Sequence, residues 1–169
     1  MHLRYRIVVL GFAALLAAGA SPAGASQQSA SGAQLAAVMT PITAALNAAN
    51  AGNFKLLHAQ YTASSVIADE FAPFEWTGAN AQDRWFADFG KAADELKMTH
   101  IKLVAQAPKY HYVAGGRAYV VVPGIVTMNV AGKPYTESGS LVFTLRQIGG
   151  AWKISGQTWA KGPEAFNPY

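Results

Sequence analysis

The sequence predicts an α+β domain in which three N-terminal helices pack on a strongly curved antiparallel sheet. Apolar residues recur at helical spacing in the first half of the chain and alternate in the second half. Paired glycines punctuate the alternating part as tight hairpin turns. With 169 residues, 51% of them hydrophobic, the chain suits one domain with a core of its own. Disorder is excluded for most of it, because disorder needs low hydrophobicity and high net charge. The absence of cysteine excludes a disulfide scaffold, a thiolate zinc site, a cysteine nucleophile and a lipid-modified cysteine anchor.

The N-terminus reads as an export signal over residues 1–25. Met1-His2-Leu3-Arg4-Tyr5-Arg6 is a short cationic segment, residues 7–20 form an uncharged apolar run, and Ala23-Gly24-Ala25 offers the small residues of a cleavage site. Cleavage is expected before Ser26, or alternatively before Ser21. A retained anchor would need roughly 20 apolar residues, and Pro22 and Gly24 interrupt the run first. Removing Arg4 and Arg6 with this segment lowers the formal charge from +4 to 11 basic against 9 acidic side chains, or +2. The expected location is therefore periplasmic or secreted, with no stable membrane anchor. Residues 26–33 read as a flexible polar linker, 34–162 as the domain and 163–169 as a C-terminal tail.

Leu35, Val38, Ile42, Ala45, Leu46 and Ala49 form one helical stripe. Ser31-x-x-Gln34 fits a cap, but Pro41 lies in mid-helix without an N–H to donate. Thr40 as cap with Pro41 in the first turn avoids that difficulty, so a firm helix is expected over residues 41–50. Asn53 caps a second, short helix through Phe54, Leu57 and Tyr61. A short strand at 65–69 and a loop at 70–76 follow, and then a helix at 79–96 whose stripe is Trp85, Phe89, Ala92 and Leu96. Strands are expected at 99–113, 117–129, 134–147 and 151–159, paired as an antiparallel meander. Pro108 and Pro123-Gly124 mark bends within it, because proline cannot donate to a ladder.

The run Ala44-Ala45-Leu46-Asn47, then Gly52-Asn53-Phe54, Val66-Ile67-Ala68-Asp69-Glu70-Phe71 and Trp76-Thr77-Gly78 resembles NTF2-like, SnoaL-like domains. Ala118-Tyr119-Val120-Val121, Ser138-Gly139-Ser140-Leu141 and Gly150-Ala151-Trp152-Lys153-Ile154 fit the same pattern, so the resemblance spans roughly residues 40–160. It implies a cystatin-like cone with a pocket between sheet and helices, and a homodimer through the sheet. It implies no single activity, since isomerases, dehydratases, cyclases and binding modules share the fold. In ketosteroid isomerases a catalytic aspartate ends the first strand. Counting from Ala51-Gly52 places that position at Asp69 without a gap. The tyrosine that would donate to an oxyanion falls at Ala45, and a missing donor of this kind removes about 3 kcal/mol of transition-state stabilisation. Tyr119 or Glu137 is the substitute donor to consider.

Asp69 is the candidate general base, with its carboxyl raised by burial. The alternative is that it caps the following loop on N–H groups near Phe71 or Phe74, which would lower it. Glu70 could take its place if the register shifts, and is otherwise a loop charge like Glu75. Trp85, Phe89, Tyr119, Glu137, Phe143 and Trp159 are the candidate ligand-binding residues. Trp85, Tyr119 and Phe143 are expected to line an open cavity on the order of a few hundred Å3. Glu137 is either a pocket group or a strand-end residue that reaches solvent. Trp85 and Phe89 are most simply core, and Trp76 and Trp159 lie near element ends where pocket mouths form. His111 alternates with Tyr110 and Tyr112, so only one set faces inward, and the simpler reading is an exposed or merely hydrogen-bonded histidine. His58 and His100 have no ligand-spaced neighbour.

No zinc pair, nucleophile elbow, P-loop or dinucleotide fingerprint occurs, so neither metal nor cofactor is implied. The basic residues are scattered along the chain, which argues against nucleic acid as a partner. Three functions follow: a binding module for a small apolar ligand, an acid–base enzyme using Asp69, and a dimeric interaction module whose cone is filled by its own aromatic rings.

Overall fold

Ser31 opens the first helix, α1 (Gly32–Asn50), through a reciprocal cap. Its Oγ accepts the Gln34 N–H at 3.3 Å, and the Gln34 side chain accepts the Ser31 N–H at 3.0 Å. The computed structural model describes residues 31–162. The expected signal segment, residues 26–30 of the expected linker and the tail 163–169 lie outside the described residues. Gly32 and Ala33, expected in the linker, are already helical. The helix runs straight through Pro41 rather than starting there. Thr40 Oγ1 donates to the Ala36 carbonyl at 3.0 Å instead of capping. Pro41 is buried with Val38, Ile42, Ala45 and Leu46, and burial of this stripe offsets the one hydrogen bond that proline cannot donate.

Asn53 caps α2 (Phe54–His58), its side chain accepting the Leu56 N–H at 3.0 Å. This helix ends before Tyr61, which instead opens β1 (Tyr61–Ala68). The segment read as a loop contains β2 (Glu75–Ala79), paired antiparallel with β1 so that Trp76 faces Ile67. The five residues of β2 are too few to show a strand period on their own. Next come α3 (Ala81–Glu95), β3 (Met98–Ala105), β4 (Tyr110–Ala114), β5 (Arg117–Val130), β6 (Lys133–Ile148) and β7 (Ala151–Lys161).

The sheet order is β2-β1-β7-β6-β5-β3, with β4 also paired to β5. β4 to β7 form the expected meander, but β1 joins β7 in parallel, so the sheet is mixed. The single strand expected at 99–113 is two. Gln106 N–H donates to the Pro123 carbonyl at 2.8 Å and Lys109 N–H to the Val121 carbonyl at 2.9 Å, and the chain leaves the ladder between them at Pro108. Pro123 thus presents its missing donor to the gap where β5 changes partner from β4 to β3.

Strand alternation sends Ala118, Val120, Val122, Leu141, Phe143, Leu145 and Ile154 to one face, where they form a core with Val38, Ile42 and Leu46 of α1. The helices cover this inner face. Tyr110, Tyr112, Tyr119 and Val66 stand exposed on the other.

Candidate functional site

Cross-strand pairing builds the site at one end of the inner face. Gly124 of β5 faces Gly139 of β6, and Leu141 and Gly139 face Trp159 and Lys161 of β7. The two glycines leave a flat floor on which the Trp159 indole lies. A Cβ on Gly139 would come within 2.5 Å of that ring, and one on Gly124 within 2.9 Å of Leu103 and 3.6 Å of the indole. From this floor Trp159 Nε1 donates to Glu137 Oε1 at 2.6 Å. Glu137 shares the inward parity of Gly139 and is only 5% exposed. Its other oxygen accepts from Lys161 Nζ at 2.9 Å, and Lys161 also reaches Glu70 Oε2 at 3.1 Å. The carboxylate is therefore a buried, paired group, not a strand end that reaches solvent.

A second indole–carboxylate pair stands nearby. Trp85 Nε1, on α3, donates to Asp69 Oδ2 at 2.9 Å, and the Glu70 N–H donates to Oδ1 at 2.7 Å. Burial is the main influence on Asp69 and holds its carboxyl above the ordinary value. Those two hydrogen bonds pull the other way, and the Glu137 charge adds to the rise. The loop-capping alternative is not what forms. The backbone N–H that the carboxylate accepts is that of Glu70, while Asp69 donates its own N–H to the Phe74 carbonyl at 3.1 Å. Glu70 is raised as well, chiefly by burial and against the pull of Lys161. Burial alone would lower Lys161, but its hydrogen bonds to Glu137 and Glu70 hold the ammonium above the usual lysine range. The arrangement offers a partly desolvated proton acceptor, a fixed cation and two indole faces. Among the described residues no three acidic or histidine side chains are grouped to hold a metal ion.

Of the expected ligand-binding residues, Trp85, Glu137 and Trp159 come together around Asp69. Phe89 stacks on Trp85 with centroids 5.7 Å apart, and Phe71 packs on both at 5.8 and 6.5 Å. Two expectations are corrected. Tyr119 lies on the opposite face of the sheet, 40% exposed, with its ring 6.0 Å from Tyr110. It is odd-numbered on a strand whose even positions point inward, so it cannot donate to a group at Asp69. Phe143 is fully buried in the core between Val120 and Gln157, so Trp85, Tyr119 and Phe143 share no cavity. His111 is the inward residue and the tyrosines the outward ones: it faces Val120, and its Nε2 is buried without a hydrogen-bond partner among the described residues. His58 is held by Asp83 and Gln82 at 3.2 and 2.9 Å. Trp76 is buried and donates to Asp88 at 3.0 Å.

Lys161 was not singled out in the sequence. The signal was there in its parity with Trp159, but the last strand was expected to stop at 159. A groove of about 400 Å3 lies between α1 and β3, lined by Met39, Thr43, Leu46, Asn47, Leu103 and Gln106. Asn50 closes it by exchanging two hydrogen bonds with the Leu103 backbone, at 2.8 and 2.9 Å. Leu103 borders both, lining the groove and standing beside the Trp159 ring over Gly124.

No protein-family model and no curated protein sequence matches the chain. Solved structures do. A ketosteroid isomerase-like protein from Erwinia carotovora atroseptica is 18% identical with a TM-score of 0.59, over 80% of this chain and 98% of that one. A scytalone dehydratase-like protein from Novosphingobium aromaticivorans is 12% identical with a TM-score of 0.62, over 77% and 85%. An NTF2-like protein with a cystatin-like fold from the same organism is 16% identical with a TM-score of 0.59, over 78% and 85%. At these identities the likeness concerns architecture, and it agrees with the helices laid on one face of an open mixed sheet: this chain has the NTF2-like, cystatin-like fold.

Proposed function

We propose that this is an exported NTF2-like protein that binds a small, largely apolar molecule carrying one polar group. The reading rests on one observation: two indole–carboxylate pairs, Trp85–Asp69 and Trp159–Glu137, stand at one end of the inner face, and Leu103 joins them to a groove that Met39 and Leu46 wall on its apolar side. Such a mix of apolar wall and a few fixed polar groups suits a small-molecule site. The test uses 2-naphthol and the four tryptophan indole N–H signals in NMR. Saturable shifts are expected at Trp85 and Trp159, with Trp76 and Trp152 as internal controls. Equal shifts at all four, or no saturation, would sink the reading.

One observation favours a second reading, an acid–base enzyme of isomerase or dehydratase type. The Asp69 carboxyl is raised mainly by burial, which brings a base towards the pH at which it works. Two structural neighbours, the ketosteroid isomerase-like and the scytalone dehydratase-like protein, are consistent with such chemistry. Asp69→Asn should leave 2-naphthol binding nearly unchanged and abolish turnover of any enolisable substrate found by screening. Retained turnover would remove Asp69 as the base.

Export and a homodimer through the sheet belong to the same proposal. They are supported by the apolar N-terminal run and by the exposed Val66, Tyr112 and Tyr119 on the outer face. Protein recovered from the periplasm or medium should begin at Ser26 or Ser21 and sediment as a dimer. An intact Met1 on membrane-bound protein argues against export, and a monomer argues against the dimer.

A further inference from the structure

Arg117 and Arg146 stand directly opposite each other on β5 and β6. The Gln147 N–H donates to the Gly116 carbonyl at 2.9 Å, which makes 116/147 the hydrogen-bonded pair. The 117/146 pair is then of the non-hydrogen-bonded kind, with Cα atoms about 4.5 Å apart and side chains at their closest. Like charges so placed repel each other. Both side chains are exposed, and neither has a hydrogen-bond or ion-pair partner among the described residues. Lys153 of β7 extends the row by facing Arg146, with its ammonium held on the Ala59 carbonyl at 2.5 Å. Three cations therefore lie side by side across three strands, on the outer face and at the turn end beyond Tyr119.

Two glycine turns flank this row. Gly115, Gly116, Gly149 and Gly150 all have positive φ, so both turns are tight and carry no side chains. Between them lies a recess of about 410 Å3, lined by Gly115, Gly116, Arg117, Arg146, Gln147 and Gly150. The contrast with Lys161 is informative: there the fold gives one cation two carboxylates, whereas here it gives two guanidinium forks none.

We propose that this recess binds a phosphate-type oxyanion between Arg117 and Arg146. Guanidinium forks match the geometry of such a group through paired N–H donors, and one divalent anion relieves the repulsion between the two charges. The group can belong to a free phosphorylated molecule or to the headgroup of an anionic lipid. This site lies on the face opposite Asp69, so it stands or falls independently of the ligand proposed there.

The test titrates the protein with inorganic phosphate at constant ionic strength, following the amide signals of Gly115, Gly116 and Gly150. Saturable shifts confined to the recess are expected, and the double variant Arg117→Gln/Arg146→Gln should bind about tenfold more weakly or worse. Phosphate should raise the melting temperature of the parent protein but not of the double variant. In phosphate-free buffer the double variant should be at least as stable as its parent, because the repulsion is gone. A second arm uses phosphatidylglycerol vesicles, with phosphatidylcholine vesicles as control. Binding that the double variant loses assigns the phosphate to a lipid headgroup, and no vesicle binding beside saturable phosphate binding assigns it to a free ligand. Shifts that chloride reproduces at equal ionic strength, or a double variant that responds to phosphate as the parent does, would overturn the proposal.

Discussion

Phe143→Ala is expected to destabilise the protein by about 3–5 kcal/mol, lowering the melting temperature by roughly 10–20 °C. The ring is fully buried at the middle of the inner face, flanked across the sheet by Val120 and Gln157 and covered by the α1 stripe. Truncation removes its contacts and leaves a cavity whose walls are strands, which collapse poorly. Urea denaturation measures the loss. The same variant decides between two roles for the residue. A core residue should leave the 2-naphthol affinity of the folded fraction near that of the parent protein. A ligand-lining residue would weaken binding with a stability change under about 1 kcal/mol, and that outcome would reverse the assignment made here.

The change from helical to alternating period was legible because each half buries a single face, and burial of one face is what produces a period. The glycine turns were legible for a local reason, since two adjacent residues of positive φ leave few alternatives to glycine. What the sequence hid were decisions made by distant partners. β1 lies parallel to β7 because the edge of the meander takes up the first strand, and no local pattern encodes that choice. The break at Pro108 was read as a bend in one strand. Only the pairing with β5 shows that it separates two strands on the same edge.

The site was partly legible for the same reasons. Asp69 followed from the resemblance to ketosteroid isomerases, whose catalytic aspartate ends the first strand, and Glu137 from sharing the parity of Leu141 and Phe143. Tyr119 was misplaced although its strand was right, because one position along a strand exchanges the faces. Trp159 was placed near a mouth, but its contact with Glu137 depends on two glycines from two other strands, Gly124 and Gly139. The residues that hold the site are thus spread over β5, β6, β7 and α3. Their spacing in the sequence carries no common signal.

Lys161→Met should show how tightly this cluster is balanced. Glu137 is 5% exposed and would keep the Trp159 N–H at 2.6 Å and a long contact to the Tyr135 hydroxyl at 3.4 Å, but no cation. A fully buried charge stripped of its partner typically costs 3–5 kcal/mol. Lys161 is 28% exposed, so water can reach the vacated position, and a loss of about 2–3 kcal/mol at neutral pH is expected. Asp69 and Glu70 are already raised in the folded protein, so their contribution to stability is complete in acid and is lost as the pH rises through their folded values. In the parent Lys161 pulls Glu70 down, so its removal raises Glu70 further and adds to the loss at neutral pH but not in acid. The difference between variant and parent should therefore shrink as the pH falls, which chemical denaturation at several pH values measures directly. Adding Glu137→Leu to Lys161→Met removes the stranded charge and should recover most of the loss, because an apolar pair can replace a buried ion pair. If the single variant loses the same stability in acid as at neutral pH and the double variant recovers nothing, the lysine acts through packing alone, and the electrostatic coupling between β6 and β7 is absent.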